Sequence, residues 1–380
     1  QEVDTLATLL EKEQGDHATE VRYVGGRREV KEISLLEIPS AEDLPIKAGG
    51  VYLITGGAGG LGKRFADYIA KTTDTQLILT GRRKESPLSK EALTSLHATY
   101  HSCDVTDQSE VESLIKEVLD TYGKLDGMIH SAGVIKDGFL LQKTPEEAKV
   151  VLLPKIKGVQ HLDAATKDLE LDFMMYCSSV AGVTGNVGQA DYASANAFMD
   201  GFAHHRNALV NKGKRSGKTL SINWPLWQEG GMQVDAASEQ YLERSWGMWA
   251  LPTQEGIEAF EALLQQDRAQ ALVIYGLPSK LEKAVSGTVS KEQRAAAVAS
   301  SSSDVHPPIA SRLLALMASL LKLEEAHLDV DTDFSEYGVD SILMMKLLNE
   351  IETAFGLTVE PTALVNYPTI TSLAAHLQAQ

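Results

Sequence analysis

The sequence predicts an α/β fold: a doubly wound parallel sheet of about seven strands, preceded by a partial β hairpin and followed by a C-terminal four-helix bundle. Three observations predict it. Short apolar runs alternate with amphipathic stretches from residue 51 to residue 276, the pattern of βαβ units whose strands are buried on both faces. A stretch rich in Ala and Ser, "AVSGTVSKEQRAAAVASSSSDVHPP", then breaks that pattern and ends in two prolines, as a linker does. Beyond it the apolar residues recur at helical spacing.

At the start, "VRYVGGRREV" reads as two strand-prone runs around Gly25 and Gly26, residues that accept the positive φ of a tight turn. Such a hairpin is too small to fold alone. It either packs on the residues downstream or closes a domain that begins upstream, and a chain starting at Gln1 reads as a piece of something longer. The sheet strands are expected at "VYLIT", "QLILT", "ATYHSCDV", "GMIHSAG", "DFMMYCSS", "LSINW" and "ALVIYG". In the tail, "IASRLLALMASLLKL", "SILMMKLLNEIETAF" and "TSLAAHLQAQ" are the main helices, and "PTALVNYP" adds a short helical turn. From Asp304 onward eleven acidic residues face three basic ones, a charge of −8, so the bundle is acidic. The expected divisions are 1–48, 49–284, 285–305 (linker) and 306–380.

The whole chain has 380 residues and a formal charge of −17, with 43% apolar residues. The length allows two or three domains and the apolar content allows real cores. The acidic balance argues against nucleic acid and anionic membrane as main partners, since both require basic patches. No apolar run approaches the roughly 20 residues that span a bilayer, and "QEVDTLATLL" has no basic n-region of a signal peptide. Cys103 and Cys177 have no metal-ligand spacing and lie in strand-like runs. They read as buried free thiols in a reducing cytoplasm, with no metal site.

The turn "LITGGAGGLGKR" follows the first sheet strand and opens a helix. Gly57, Gly59 and Gly62 satisfy G-x-G-x-x-G, the Rossmann-like dinucleotide turn. Its glycines let the backbone approach a pyrophosphate at the positive end of a helix. Gly57 to Lys63 also begin a phosphate loop, but Arg64 stands where that loop needs a hydroxyl for magnesium. The remaining alternative is a glycine turn without a ligand. At the end of the second strand, where NAD enzymes carry a carboxylate for the ribose, the chain has Arg82 and Arg83. A guanidinium suits a 2′-phosphate, which favours NADPH; otherwise both arginines are solvated surface charges.

The segment "YCSSVAGVTGNVGQADYASANAF" carries the candidate chemistry. Tyr192 lies 13 residues after Ser179, and Asn196 one helical turn after Tyr192. Ser179 ends an apolar strand, and parallel sheets bind ligands at such ends. The turn built on Thr55, Gly56, Gly60 and Gly62, with Ser179 and Tyr192, resembles the short-chain dehydrogenase/reductase superfamily. That superfamily usually has lysine four residues after the tyrosine, where this chain has Asn196. Lys155, in the upstream helix "VLLPKIKGVQHL", supplies the cation instead. This exchange resembles the ketoreductase domains of modular polyketide synthases, as do "SAGV", "CSSVAG", "YASANAFMDGFA" and "NWPLW". The hairpin "EVRYVGGRREVKEI" is similar to the closing strands of the noncatalytic half that precedes such a reductase.

The resemblance implies NADPH-dependent reduction of a 3-oxoacyl thioester. Ser179 would hydrogen-bond the developing alkoxide and Tyr192 would deliver the proton. Lys155 would help lower a phenol pKa of about 10, and Asn196 would fix Lys155 or a relay water. The implied cofactor residues are Thr55, Gly56, Gly57, Gly59, Gly60, Leu61, Gly62, Arg82 and Arg83. Asp104 and Val105, at the end of the "ATYHSCDV" run, and Ser131, Ala132 and Gly133, at the end of "GMIHSAG", complete the implied set. Within "HSAGVIKDGFL", Asp137 matches the last residue of a Leu-Asp-Asp motif that accompanies D-configured alcohols in this family. The tryptophan of the L-alcohol class would fall at Thr184 and is absent. A D-hydroxyl product is expected; the alternative makes Asp137 an ordinary loop residue. Residues 228–252, rich in Gly, Met and Trp, read as a mobile lid or as a surface helical pair.

In the tail, "YGVDSILMMK" opens a helix at Ser341 with no histidine nearby to activate the hydroxyl. With "FSEYGVDSILMMKLLNEIETAFG" and "TALVNYPTITSLAAHL", it resembles the acyl carrier protein family. The resemblance implies 4′-phosphopantetheine esterified to Ser341, with its phosphate at a helix N-terminus. The alternative is that Asp340 or Ser341 only caps the helix. A flexible linker would hold a tethered substrate at high effective concentration. The acidic bundle would dock on basic patches of a ketosynthase, an acyltransferase and a phosphopantetheinyl transferase. Two competing readings are an inactive reductase scaffold with a working carrier, and a free-standing dehydrogenase with an unmodified helical module.

Overall fold

The computed structural model describes residues 13, 21–36, 46–138, 140, 143–232, 239, 242–243, 247–281, 309–321 and 323–378, except residues 25, 73, 187, 279, 324, 338–340, 358 and 360. The expected linker at 285–305 and the middle of the expected lid lie outside the described residues.

The hairpin forms as β1 (Val21–Val24) and β2 (Arg27–Val30), paired antiparallel with Val24 opposite Arg27. Gly26 takes φ +80° in the turn, a conformation open to glycine at little cost. Across the pair, Arg22 holds Glu29 at 2.6 Å.

Among the described residues the main sheet has seven strands: β3 (Val51–Thr55), β4 (Gln76–Gly81), β5 (Ala98–Ser102), β6 (Gly127–His130), β7 (Phe173–Ser179), β8 (Lys218–Trp224) and β9 (Gln270–Leu272). Their order is β5-β4-β3-β6-β7-β8-β9, all parallel. The apolar runs have no polar alternation because both faces are covered. Tyr52, Ile54, Leu77, Leu79, Met175 and Ile222 pack into one core, and Val51, Leu53, Ile78, Met128, Met174 and Tyr176 into the other.

Helices between the strands are set by their ends. α1 (Gly60–Ile69) follows the glycine turn, and α2 (Lys90–Ser95) is capped by Ser89. α3 (Gln108–Tyr122) is capped by the Asp107 carboxylate and stopped by Gly123 at φ +73°. α4 (Pro145–Ala165) starts with a reciprocal Thr144–Glu147 capping box and Pro145 in the first turn. α5 (Ala181–Thr184) is a single turn; α6 (Ala190–Val210) and α7 (Thr253–Leu264) complete the domain. Phe65, Trp224, Trp227 and Phe260 pack with ring centroids 4.9 to 6.0 Å apart. The "NWPLW" segment therefore locks α1 and α7 behind the glycine turn. The chain order reverses between β3 and β6, so the carboxyl ends of those strands open a crevice.

Among the described residues the C-terminal unit has four α-helices: α8 (Ile309–Leu321), α9 (Ser341–Phe355), α10 (Pro361–Asn366) and α11 (Ile370–Gln378). Leu313, Met317, Phe334, Leu347, Ile351, Leu364 and Leu373 form its core. Main-chain bonds from Phe334 to Pro368 (2.8 Å) and from Thr371 to Val330 (3.0 Å) tie the long α8–α9 connection to the start of α11.

Candidate active site

The crevice is built on the turn after β3. Gly56 has φ +68°, and a Cβ there would lie 3.0 Å from the Ala132 backbone. A Cβ on Gly57 would lie 2.7 Å from the Ile54 carbonyl oxygen, and one on Gly62 would lie 2.5 Å from that of Gly56. Gly57 and Gly62 thus serve close packing. Gly59, by contrast, has only one atom near its would-be Cβ, at 3.7 Å, and it caps α1 without a side chain. That leaves the helix N-terminus open to an anion. Gly60 lies under the loop after β8, whose Gly230 carbonyl oxygen would be 2.3 Å from a Cβ on Gly60.

Beneath the turn, Thr55 Oγ1 and His130 Nδ1 are 2.7 Å apart, and His130 Nε2 lies 3.1 Å from the Pro154 carbonyl oxygen. A carbonyl only accepts, so Nε2 carries the proton and Thr55 donates to Nδ1. Burial pushes the imidazole pKa down to about 3, so the ring is neutral. This chain of bonds joins the turn to α4 one residue before Lys155.

A cleft of about 900 Å³ runs over the strand ends. Gly56, Gly59, Gly60 and Leu61 line one part, Arg82 and Arg83 the rim, and Ser131, Ala132 and Gly133 the wall after β6. A recess of about 120 Å³ adjoins it and is lined by Asp104 and Val105. There Thr106 donates twice to Asp104 Oδ1, at 2.9 Å from its main-chain nitrogen and 2.8 Å from its hydroxyl. Of the expected cofactor residues, Thr55, Gly57 and Gly62 line neither space; they shape the turn. Thr80 and Tyr100 also line the cleft, and only their place on parallel strands could have found them. Cys177 and Ser178 of "CSSVAG", and Gly230 and Gly231 of the expected lid, line it as well, although none was expected as a cofactor residue. The volume, the bare helix end and the rim arginines together fit a phosphorylated dinucleotide.

The far end of the cleft holds Lys155 and Tyr192. Lys155 is 4% exposed, and its Nζ donates to the Cys177 carbonyl oxygen at 3.0 Å. The same Nζ lies 5.7 Å from the Tyr192 ring centroid. Gly133 makes room for it, since a Cβ there would stand 3.1 Å from Lys155 Cε. Burial lowers the lysine pKa to about 8. Burial also raises the Tyr192 phenol, opposed by hydrogen bonds from Ser179 and Asn196. Asn196 is fully buried and its Nδ2 donates to the Tyr192 carbonyl oxygen at 2.7 Å, while its Oδ1 has no protein partner among the described residues. The amide thus secures the helical turn bearing the tyrosine, and no direct bond to Lys155 is seen.

Behind these residues, Asn223 Nδ2 lies 2.9 Å from Ser178 Oγ, 2.9 Å from the Ser179 carbonyl oxygen and 2.8 Å from Asp200 Oδ2. Burial raises the Asp200 carboxyl pKa. Asp137 is exposed, does not line the cleft, and accepts from Gln189 Nε2 at 3.0 and 3.1 Å. Cys103 and Cys177 are free and buried, and burial pushes both thiols up to about 12. In the C-terminal unit Ser341 is the first residue of α9; its side chain lies outside the described residues.

Residues 50–229 match the family model described as KR domain, and residues 311–377 match the one described as phosphopantetheine attachment site. A solved ketoreductase domain from the bacillaene assembly line is 41% identical, with a TM-score of 0.69, over 74% of this chain and 69% of that one. This chain is a ketoreductase–carrier didomain of the modular polyketide synthase family. Polyketide synthase PksL of Bacillus subtilis (strain 168) is 39% identical over 94% of the didomain. Polyketide synthase ThaG of Burkholderia thailandensis is 39% identical over 81% of it. The didomain spans only 8% and 6% of those two relatives. Among the described residues no helix is long and apolar enough to cross a membrane.

Proposed function

We propose that the didomain reduces a 3-oxoacyl thioester to a D-configured 3-hydroxyacyl thioester with NADPH, the acyl chain being carried on 4′-phosphopantetheine at Ser341. The observation that supports this reading is that Lys155 and Tyr192 line the same cleft as the glycine turn, with Ser179 at the end of β7 and Asn196 one helical turn beyond Tyr192 close behind that lining. NADPH would lie on Gly56, Gly59, Gly60 and Leu61, with Arg82 and Arg83 on its 2′-phosphate, and when bound it supplies the hydride. The remaining work falls to the protein. Ser179 hydrogen-bonds the ketone oxygen where charge develops, and Tyr192 gives that oxygen its proton. The Lys155 ammonium favours the phenolate left behind, and Asn196 holds the tyrosine's turn of helix.

The proposed divisions are a remnant of a noncatalytic subdomain (1–48), the reductase (49–284), a linker (285–305) and the carrier (306–380). The proposed partners are a ketosynthase, an acyltransferase and a phosphopantetheinyl transferase. Two measurements test the reading. NADPH oxidation is followed with the N-acetylcysteamine thioester of 3-oxopentanoic acid, with chiral analysis of the alcohol; an L-alcohol would refute the stereochemical assignment. Intact mass is measured after incubation with coenzyme A and a phosphopantetheinyl transferase. A mass gain that survives Ser341→Ala would sink the carrier assignment, and no turnover would favour the scaffold reading.

A further inference from the structure

One buried ion pair beside the active site takes no part in that chemistry. Lys143 Nζ and Asp191 Oδ2 are 2.6 Å apart, and the two side chains are 4% and 2% exposed. The pairs Lys136–Glu147 and Lys149–Glu146 on the same stretch of chain are instead more than 40% exposed. The other oxygen of Asp191 accepts from the main-chain nitrogen of Tyr192 at 2.9 Å. Lys143 also donates to the carbonyl oxygen of Lys136. Alongside, Gly138 donates to the Gly188 carbonyl oxygen at 2.8 Å, and Gln189 binds Asp137. The segment just before this, Ser131 to Ile135, is a wall of the cleft.

We propose that Lys143 and Asp191 are positioning residues: their ion pair fixes the cleft wall 131–138 against the first turn of the helix bearing Tyr192, and so sets where the ketone stands relative to the phenol. Stability alone does not account for the pair. Two well-packed apolar residues of similar volume would hold the same elements about as well, because burying both charges costs roughly what their attraction returns. An apolar contact has no direction. One ammonium that binds both the Lys136 carbonyl and the Asp191 carboxylate, which in turn holds the Tyr192 N–H, does. A movement of the wall is thereby passed to the tyrosine's main chain, and an error of about 1 Å at a reacting group can reduce the rate by about 100-fold.

The inference rests on the proposed reduction, and the experiment separates the two. The didomain is compared with Lys143→Met and with Lys143→Met/Asp191→Asn, in which no buried charge is left alone. In the double variant kcat for the N-acetylcysteamine thioester of 3-oxopentanoic acid should fall about 10- to 100-fold. The Kd for NADPH should stay within about twofold, and the minor alcohol enantiomer should increase. Lys143→Met alone should be worse than the double variant, because it strands the Asp191 carboxylate next to Tyr192. Hydrogen exchange at the Gly138 and Tyr192 amides should quicken in the double variant at least tenfold, with the amides of β3 and β7 unchanged. Wild-type rate, enantiomer ratio and exchange in the double variant would overturn the inference. So would loss of NADPH binding, which would make the pair a support of the whole fold. If the unmodified didomain fails to turn over, the reduction reading falls, while the exchange rates still decide whether the pair clamps the wall.

Discussion

Replacing Lys155 by methionine should abolish reduction and yet stabilise the reductase. The ammonium is buried, and burial lowers its pKa from 10.5 to about 8. At about 1.4 kcal/mol per tenfold change in proton affinity, holding the charge there costs the folded state about 3 kcal/mol at pH 7. Methionine fills similar volume without charge. It forfeits the bond to the Cys177 carbonyl oxygen, a loss of about 1–2 kcal/mol. The net is a gain of about 1–2 kcal/mol, or about 2–8 °C in Tm for a domain of this size. The sign with pH comes from linkage. Between about 8 and 10.5 the unfolded chain holds a proton on Lys155 that the folded chain has released, so the wild type gains stability as pH rises through that window. The advantage of Lys155→Met should therefore shrink by about 2 kcal/mol between pH 7 and pH 9.5. All four tryptophans lie between residues 224 and 249, so tryptophan fluorescence during heating reports the reductase alone. A variant that melts below the wild type at pH 7, or whose advantage is unchanged at pH 9.5, would refute the reasoning.

Three further outcomes are expected. Tyr192→Phe should lower kcat by about 100- to 10,000-fold, the usual range for a missing general acid, with NADPH affinity unchanged by fluorescence titration. Arg82→Ala/Arg83→Ala should raise the KM for NADPH about tenfold or more and leave that for NADH within about threefold; an unchanged preference between the two cofactors would remove these residues from the phosphate site. Gly62→Ala would put a methyl 2.5 Å from the Gly56 carbonyl oxygen. It should therefore lower Tm and weaken NADPH binding together, at a cost of about 1–3 kcal/mol, measured by melting with and without NADPH.

The sheet is legible in the sequence because its strands are buried on both faces, which leaves runs such as "VYLIT" without an exposed position. The last strand is shorter than its apolar run. Of "ALVIYG", only Ala271 and Leu272 join the ladder, because the chain beyond turns to meet the segment before α7: Trp249 donates to the Tyr275 carbonyl oxygen and Met248 bridges Gly276. The glycine turn is legible as a motif, but the motif does not separate its roles. Gly57 and Gly62 pack against carbonyl oxygens, while Gly59 leaves open space.

Lys143 and Asp191 show where sequence reading stops. By type each is a surface residue, they are 48 positions apart, and neither belongs to a motif with Tyr192 beyond simple adjacency. Only the fold brings them together and removes water from both. The same holds for Lys155, whose role came from resemblance and whose environment came from the structure. Its charge is lodged where burial opposes it, 5.7 Å from the ring it would serve. A cation kept in so unfavourable a place gains nothing for the fold that methionine would not supply. That cost gives a physical reason to assign it to chemistry, independent of any likeness to other reductases.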